Sequence, residues 1–156
     1  MAELLSKNDK RSWYCAQLCK ADIGKEVTVM GWCQRQRDLG SLIFIDLRDR
    51  SGIIQLAFDP DTEKDVFAKA FTARAEYVLL AKGRVRPRGE GAINKNLPTG
   101  EIEIAVSELK ILSAAQTPPF EIEENSDVRA ELRLKYRYLD LRRPALYQNL
   151  LTRHKL

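Results

Sequence analysis

The stretch WCQRQRDLGSLIFIDLRDRSGIIQLAF (residues 32–58) decides the fold of this chain, because it predicts two and a half β-strands joined by tight turns. Along a strand, successive side chains alternate between the two faces. One face of the strand at residues 42–48 carries Ile43, Ile45 and Leu47, which predicts that this face belongs to a core. The opposite face carries Leu42, Phe44, Asp46 and Arg48. An aromatic ring on such a charged surface indicates that something stacks on it.

The next strand repeats this pattern after a turn at residues 50–52. Its core face carries Ile54, Leu56 and Phe58, and Gln55 lies on the opposite face. We therefore expect Phe44 and Gln55 side by side on neighbouring antiparallel strands. A flat ring beside an amide group suits an unstacked nucleobase, whose face is aromatic and whose edge is polar.

Two arginines, Arg35 and Arg37, come from the preceding strand, which is predicted over residues 26–37. Guanidinium groups pair with phosphates or with base edges. Strict alternation places both arginines on the inward face, so two alternatives stay open. Either the strand has left the core by that point, or a bulge turns the arginines outward. The pattern alone fits a nucleic-acid interface and an ordinary exposed surface equally well.

Composition and charge place few limits on the function. A chain of 156 residues suits one domain, or a small domain with an appendage. Its 26 Lys and Arg against 22 Asp and Glu leave a net charge of +4, too small by itself to indicate nucleic acid. The distribution is more informative, because basic residues cluster in 82–95 and 129–155 and acidic residues cluster between these segments.

Metal binding, secretion and membrane insertion are not expected. The three cysteines, Cys15, Cys19 and Cys33, form no metal-ligand set with the single histidine, His154. An odd number of cysteines without a secretion signal predicts reduced thiols. No stretch approaches the roughly 20 apolar residues that a membrane span needs. We therefore expect a soluble, cytoplasmic protein with no membrane partner.

The remaining pattern completes a fold. It predicts a helix over residues 62–76, a fourth strand over 76–85 and a fifth over 101–106, with Glu103 facing outward. Three strands, one helix and two more strands is the order of an OB-fold barrel. We predict an all-β fold: a five-stranded OB-fold barrel with one helix between strands 3 and 4, followed by a linker and a partly helical C-terminal extension. This fold binds oligonucleotides on strands 2 and 3, where Phe44 and Gln55 lie.

Four segments are predicted along the chain. Residues 1–12 are expected to be flexible, residues 13–114 form the barrel, and residues 115–128 form an acidic linker in which two prolines favour an extended path. Residues 129–156 are predicted to be helical, with Pro144 at a first helical position. Unpaired leucines in the last helix lead us to expect that the natural protein continues.

Two long runs resemble one protein family. The runs RQRDLGSLIFIDLRDRSGIIQ (residues 35–55) and LRLKYRYLDLRRP (residues 132–144) resemble the N-terminal anticodon-binding domain and hinge of bacterial-type aspartyl-tRNA synthetases. The segment TGEIEI (residues 99–104) is similar as well, and the resemblance covers residues 13–156. Related lysyl and asparaginyl enzymes share the barrel and the RYLDLR-like segment, but they fit the first run less well.

The resemblance implies a barrel that reads the aspartate anticodon. By similarity, Phe44 would stack on the middle base, and Gln55 would hydrogen-bond the middle and third bases. Arg37 would contact the middle base or nearby backbone, and Glu103 would accept hydrogen bonds from a guanine-type first base. Lesser candidates for contacts with the loop or the tRNA backbone are Arg35, Arg86, Arg88 and Asn94.

The chain departs from the family pattern at Gln36, where a third consecutive basic residue is common. This departure bears on one phosphate contact and not on base readout.

The resemblance also implies a longer parent enzyme, an aspartate–tRNA ligase of class II. The parent would bind ATP and magnesium and would form a homodimer through a catalytic domain that follows the hinge. Residues 1–156 contain no catalytic motif of that family, so we expect this chain to bind tRNA of the aspartate type without cofactor and to catalyse no reaction.

Three alternatives remain. One is a general single-strand-binding OB-fold, with affinity dominated by salt, and another is a structural or protein-interaction barrel. The third is a relaxed enzyme that also charges asparagine tRNA. In such relaxed enzymes the position of Leu39 often holds a histidine, and the position of Gly91 holds a small residue. Leu39 therefore argues against relaxed specificity, and Gly91 argues weakly for it.

Overall fold

The structure, a computed structural model, describes residues 3–125 and 127–156. They form two compact units, one ending at Thr117 and the other beginning at Pro118. The first unit is a closed barrel with the strand order β1-β2-β3-β5-β4. The strands are β1 (Glu26–Asp38), β2 (Ile43–Arg48), β3 (Ile53–Phe58), β4 (Val78–Pro87) and β5 (Ile102–Ser113), and α1 (Lys64–Thr72) lies between β3 and β4. The predicted OB-fold barrel is confirmed.

The barrel core follows the predicted alternation. On β2 the fully buried side chains are Ile43, Ile45 and Leu47, and on β3 they are Ile54, Leu56 and Phe58. Strand β3 pairs antiparallel with β2 and parallel with β5, which closes the barrel. The outer face of β2 and β3 is therefore held in place by a continuous apolar interior.

A bulge in β1 places the two arginines. Cys33 lies opposite Leu47, but Arg35 lies opposite Asp46, so Gln34 is an extra residue in this strand. The extra residue reverses the alternation, and Arg35 and Arg37 share the outer face with Asp46. Of the two alternatives left open by the sequence, the bulge is therefore the correct one.

Two glycines allow strands to approach closely. A β-carbon at Gly31 would lie 2.4 Å from the carbonyl oxygen of Arg48, and one at Gly83 would lie 2.1 Å from that of Ala105. Real side chains do not tolerate such distances, so both positions need glycine.

Several element bounds differ from the prediction. Helix α1 is shorter than predicted and ends at Thr72, because Ala73 is extended. Strand β5 continues to Ser113 through a register shift opposite Lys82 and Gly83. Short 3-10 helices cover Cys15–Gln17, Lys20–Asp22 and Glu90–Ala92.

The N-terminal segment makes specific contacts with the barrel unit. The Glu3 N–H donates to the Ile111 carbonyl at 2.8 Å, and the Lys110 ammonium donates to the Asp9 carboxylate at 2.8 Å. Residues 1 and 2 of the predicted flexible segment lie outside the described residues. The described part of that segment is attached to β5 by these bonds.

The second unit contains α2 (Ala130–Lys135), α3 (Arg137–Asp140) and α4 (Pro144–Lys155). Its small core consists of Phe120, Ile122 and Leu139. Two of these residues come from the segment predicted as an acidic linker, so part of that segment packs within this unit. Pro144 is the first residue of α4, where its missing N–H has no cost.

A buried carboxylate uses much of the basic charge in the second unit. Asp140 is fully buried and accepts hydrogen bonds from Arg133 at 2.9 Å, Arg137 at 2.8 Å and Arg143 at 3.4 Å. These contacts, with the Arg133 hydrogen bond first, hold the pKa of Asp140 below its ordinary value. Three of the arginines in the basic segment therefore stabilise this unit.

The cysteines are free thiols, as predicted. Burial raises the pKa of the Cys33 thiol to about 12. Within residues 3–125 and 127–156, His, Cys, Asp and Glu side chains form no group of three suited to a metal ion. None of the helices in these ranges combines the length and the apolar character needed to cross a bilayer.

Candidate nucleic-acid interface

The candidate interface is the outer face of β1, β2, β3 and the start of β5. Phe44 is half-buried there and lies opposite Arg37 on β1 and Ala57 on β3. Gln55 lies opposite Asp46, so it is a diagonal neighbour of Phe44 on the same face. Diagonal neighbours are separated by about 7–8 Å, within reach of one ligand. The structure thus brings the ring and the amide together.

Arg37 connects three side chains of this face. Its Nη2 donates to Asp46 Oδ1 at 3.1 Å and to Gln55 Oε1 at 2.9 Å. The guanidinium carbon lies 5.7 Å from the centre of the Phe44 ring, within the range of cation–π attraction. Arg37 is therefore held beside the ring by partners on both β2 and β3.

Gln55 has a fixed amide orientation. Its Oε1 accepts from Arg37, and its Nε2 donates to Glu103 Oε2 at 2.8 Å. The side chain is on the predicted outer face but is only 5% exposed, because its charged neighbours cover it. An amide carries two donors and two acceptor lone pairs, so one of each remains for a base.

Glu103 is the acceptor at the β5 end of the face. Its Oε2 accepts from Gln55, and its Oε1 accepts from Arg86 Nε at 2.8 Å. Arg86 is its direct cross-strand partner on β4. An ionised carboxylate has about four acceptor sites, and two of them are used here. Glu103 was predicted to face outward, but it is only 7% exposed because Gln55 and Arg86 pack against it.

Sequence reasoning missed one member of this network, Asp59. Its carboxylate accepts from Arg86 Nη1 at 2.5 Å and from Arg86 Nη2 at 3.1 Å. The pKa of the Arg86 guanidinium is raised, first by the hydrogen bond to Asp59 and also by Glu103. In the sequence, Asp59 is recognisable only as a carboxylate directly after the core strand β3. That position does not indicate that Arg86 is its partner.

The lesser candidates lie in different environments. Arg35 is exposed and has no hydrogen-bond or ion-pair partner among the described residues. Arg88 is only 7% exposed, donates from Nε to the Ile102 carbonyl at 2.9 Å, and does not present its guanidinium on the surface. Burial also lowers the pKa of Arg88, against the opposing influence of Glu103.

Asn94 lies in the exposed loop before β5. Its backbone N–H donates to the Gly100 carbonyl at 3.1 Å, and its side-chain oxygen accepts from the Asn96 N–H at 3.0 Å. These bonds shape the loop at a place where a β-carbon on Gly100 would meet the Asn94 carbonyl. Asn94 is thus presented by a structured loop outside the central network.

Gln36, the residue that departs from the family pattern, does not belong to the face. Its Nε2 donates to the carbonyls of Ala70 at 3.0 Å and Phe71 at 3.2 Å, near the end of α1. It therefore adds hydrogen bonds to the carbonyls at the end of α1, where the Ala70 carbonyl also accepts from the Ala73 N–H and the Phe71 carbonyl from Arg74 Nη1.

The charges of the face balance within it. Hydrogen bonds join three carboxylates and two guanidinium groups on it, namely Asp46, Asp59, Glu103, Arg37 and Arg86. The buried Arg88 guanidinium also interacts electrostatically with Glu103 and Asp46. Net attraction to phosphate is therefore weak at the centre, and Arg35 at the margin supplies the free positive charge. The arrangement is suited to recognising base faces and base edges rather than backbone charge.

Comparison with known proteins places this geometry in a family. The family model tRNA anti-codon, described as an OB-fold nucleic acid binding domain, matches residues 27–112. Over 147 residues the chain is 57% identical to the aspartate–tRNA(Asp/Asn) ligase of Syntrophotalea carbinolica, covering 94% of this chain and 25% of that protein. It is 56% identical over 147 residues to the aspartate–tRNA ligase of Ruminiclostridium cellulolyticum, with the same two coverages.

A solved structure agrees with these matches. The asparaginyl-tRNA synthetase from Pyrococcus horikoshii, complexed with asparaginyl-adenylate, superimposes with a TM-score of 0.71 and 28% identity. The match covers 86% of this chain and 29% of that one. The chain therefore spans about a quarter of the length of the curated relatives that it matches.

Proposed function

We propose a function from one premise: this chain belongs to the tRNA anti-codon family of OB-fold nucleic acid binding domains. On that premise, the outer face of β1, β2, β3 and β5 binds the anticodon loop of a tRNA. The observation that carries the proposal is the Phe44 ring, half-exposed beside an amide and a carboxylate whose orientations are fixed.

The roles of the individual residues follow from their chemistry. Phe44 stacks on the middle base, and Arg37 contacts that base or its backbone from beside the ring. Gln55 offers its remaining donor and acceptor to the middle and third bases. Glu103 accepts hydrogen bonds from the first base, and a carboxylate suits guanine because guanine presents N1–H and N2–H donors side by side.

The tRNA is of the aspartate type, because the relatives that share more than half of their residues with this chain are named as aspartate–tRNA ligases. A second candidate includes tRNA of the asparagine type. One relative at 57% identity is named for both tRNAs, which favours the relaxed specificity.

The whole protein is an aspartate–tRNA ligase of class II, located in the cytoplasm and dimeric through its catalytic part. ATP and magnesium bind outside residues 1–156. The chain itself contributes tRNA recognition.

A competition titration tests this function. The chain is titrated at fixed salt with an anticodon stem-loop carrying the aspartate anticodon, guanine-uracil-cytosine, and with a loop of scrambled anticodon. We expect tighter binding of the aspartate loop. Equal affinity for both loops would identify a general single-strand binder, and no binding to either would identify a structural barrel. A third loop, with uracil as the third base, measures whether the asparagine anticodon is also accepted.

A further inference from the structure

Asp59 occupies the end of a hydrogen-bonded relay that leads to Glu103. Both Asp59 oxygens accept from Arg86, at 2.5 and 3.1 Å, and the third donor atom of Arg86, Nε, donates to Glu103 at 2.8 Å. A single planar guanidinium thus joins the end of β3 to β5. Its fork geometry transmits the position of one carboxylate to the other.

The backbone of Asp59 is itself anchored. The Asp59 N–H donates to the Thr62 hydroxyl at 2.9 Å, and the Thr62 N–H donates to the Asp59 carbonyl at 2.9 Å. This reciprocal turn ends β3 and leads into α1. The backbone of Asp59 is therefore held in place, and its carboxylate is positioned to bind Arg86.

We propose that Asp59 is a positioning residue for selection of the first anticodon base. By binding Nη1 and Nη2 of Arg86, it fixes the guanidinium where only Nε donates to Glu103. Both Glu103 oxygens then keep an acceptor site for the two neighbouring donors of guanine. This inference rests on the proposed function, because Asp59 acts on the same anticodon site through Arg86 and Glu103.

The need for Asp59 follows from the pairing of β4 and β5. Arg86 and Glu103 are direct cross-strand partners, and an arginine beside a carboxylate favours a bidentate pair with two parallel hydrogen bonds. Such a pair would occupy acceptor sites on both Glu103 oxygens and would compete with the base. Asp59 prevents this by holding the guanidinium group in a position where Nε is the Arg86 atom that donates to Glu103.

The test uses two loops that differ by one donor. One aspartate stem-loop carries guanosine at the first anticodon position, and the other carries inosine, which lacks the N2 amino group. We expect the wild-type chain to bind the guanosine loop about tenfold or more tightly, the scale of one hydrogen bond to a charged group. In Asp59→Asn we expect this ratio to fall below about threefold, with affinity for the inosine loop changed less than about twofold.

Asp61→Asn is the matched control, because Asp61 is an exposed carboxylate in the same turn and no contact joins it to Arg86. Its ratio should equal that of the wild type. In a Glu103→Gln background, Asp59→Asn should cause no further loss of the ratio. If Asp59→Asn does not fold by circular dichroism, Asp59→Glu replaces it. Its carboxylate is displaced by one methylene group and cannot hold Arg86 in the same position, so the same loss is expected.

Each outcome has a distinct meaning. An unchanged guanosine-to-inosine ratio in Asp59→Asn, or an equal weakening of both loops, would overturn the positioning role. A wild-type chain that fails to distinguish the aspartate loop from the scrambled loop would overturn the proposed function as well. If the wild-type chain distinguishes the aspartate loop from the scrambled loop but Asp59→Asn keeps the wild-type guanosine-to-inosine ratio, only the role of Asp59 is refuted.

Discussion

Arg37 lies directly opposite Phe44 in the β1–β2 ladder, with its guanidinium carbon 5.7 Å from the centre of the ring. This relationship exists only because Gln34 is an extra residue in β1. Without the bulge, alternation would direct Arg37 to the apolar interior, where an arginine is costly. One extra residue therefore brings the basic side chain and the ring onto a common surface.

Replacing Phe44 by alanine should weaken anticodon-loop binding and leave stability nearly unchanged. Base–aromatic stacking contributes about 1–3 kcal/mol per base, and the ring lies on the outer face, not in the core. Filter binding and thermal melting measure the two effects. Phe58→Ala is the contrasting control, because Phe58 is fully buried and should lose about 3–5 kcal/mol of stability. Unchanged affinity, or a sharp fall in melting temperature, in Phe44→Ala would contradict the stacking role.

Glu103→Gln should reduce the preference for guanine over adenine at the first anticodon position. The amide replaces one acceptor oxygen by a donor, and a hydrogen bond to a charged group contributes about 1.5–3 kcal/mol. Competition between the two loops measures the change. Glu101→Gln is the control, because Glu101 is half-exposed and pairs with Lys20 instead. If Glu103→Gln kept the full preference for guanine, Glu103 would be a structural residue of the sheet edge that does not contact the first base.

Gly83→Ala should destabilise the barrel, whereas Gly91→Ala should not. The new β-carbon at Gly83 would lie 2.1 Å from the Ala105 carbonyl oxygen, and nothing lies within 4 Å of one at Gly91. Overpacking of this kind costs about 1–3 kcal/mol or more, against about 0.5 kcal/mol or less at an open surface site. Urea unfolding of both variants checks the difference. Equal midpoints would mean that β4 and β5 separate easily at this point.

Asp140 should make the second unit sensitive to acid. Its pKa in the folded protein is lowered, so its contribution is present above its unfolded pKa of about 3.9 and is lost as the pH falls through the lower folded value. An NMR titration of the Asp140 carboxyl should show the lowered pKa.

The variant Asp140→Asn should lose protection from hydrogen exchange in α2 and α3 at neutral pH, since Arg133, Arg137 and Arg143 would lose their shared carboxylate. Asp127→Asn, at an exposed position, is the control. An ordinary pKa at Asp140, with unchanged protection in its variant, would contradict this role.

Much of the barrel and part of its binding face could be predicted from local sequence. Strand alternation is a property of the chain itself, and it correctly separated Ile43, Ile45 and Leu47 from Phe44. The resemblance to aspartyl-tRNA synthetases rested on long runs of residues and is confirmed at the level of the family. These features depend on neighbours in sequence.

The remaining features were decided by the tertiary structure. The bulge at Gln34 was one of two alternatives, and only pairing with β2 selects it. The burial of Gln55 depends on Glu103, 48 residues away, and the partner of Asp59 is Arg86, 27 residues away. Closing the barrel brings such residues together. The periodicity within one strand does not predict which side chain of the neighbouring strand will lie beside a given residue. The sequence by itself determined the strands and the outward ring, and strand pairing across the closed barrel determined how its polar neighbours are held.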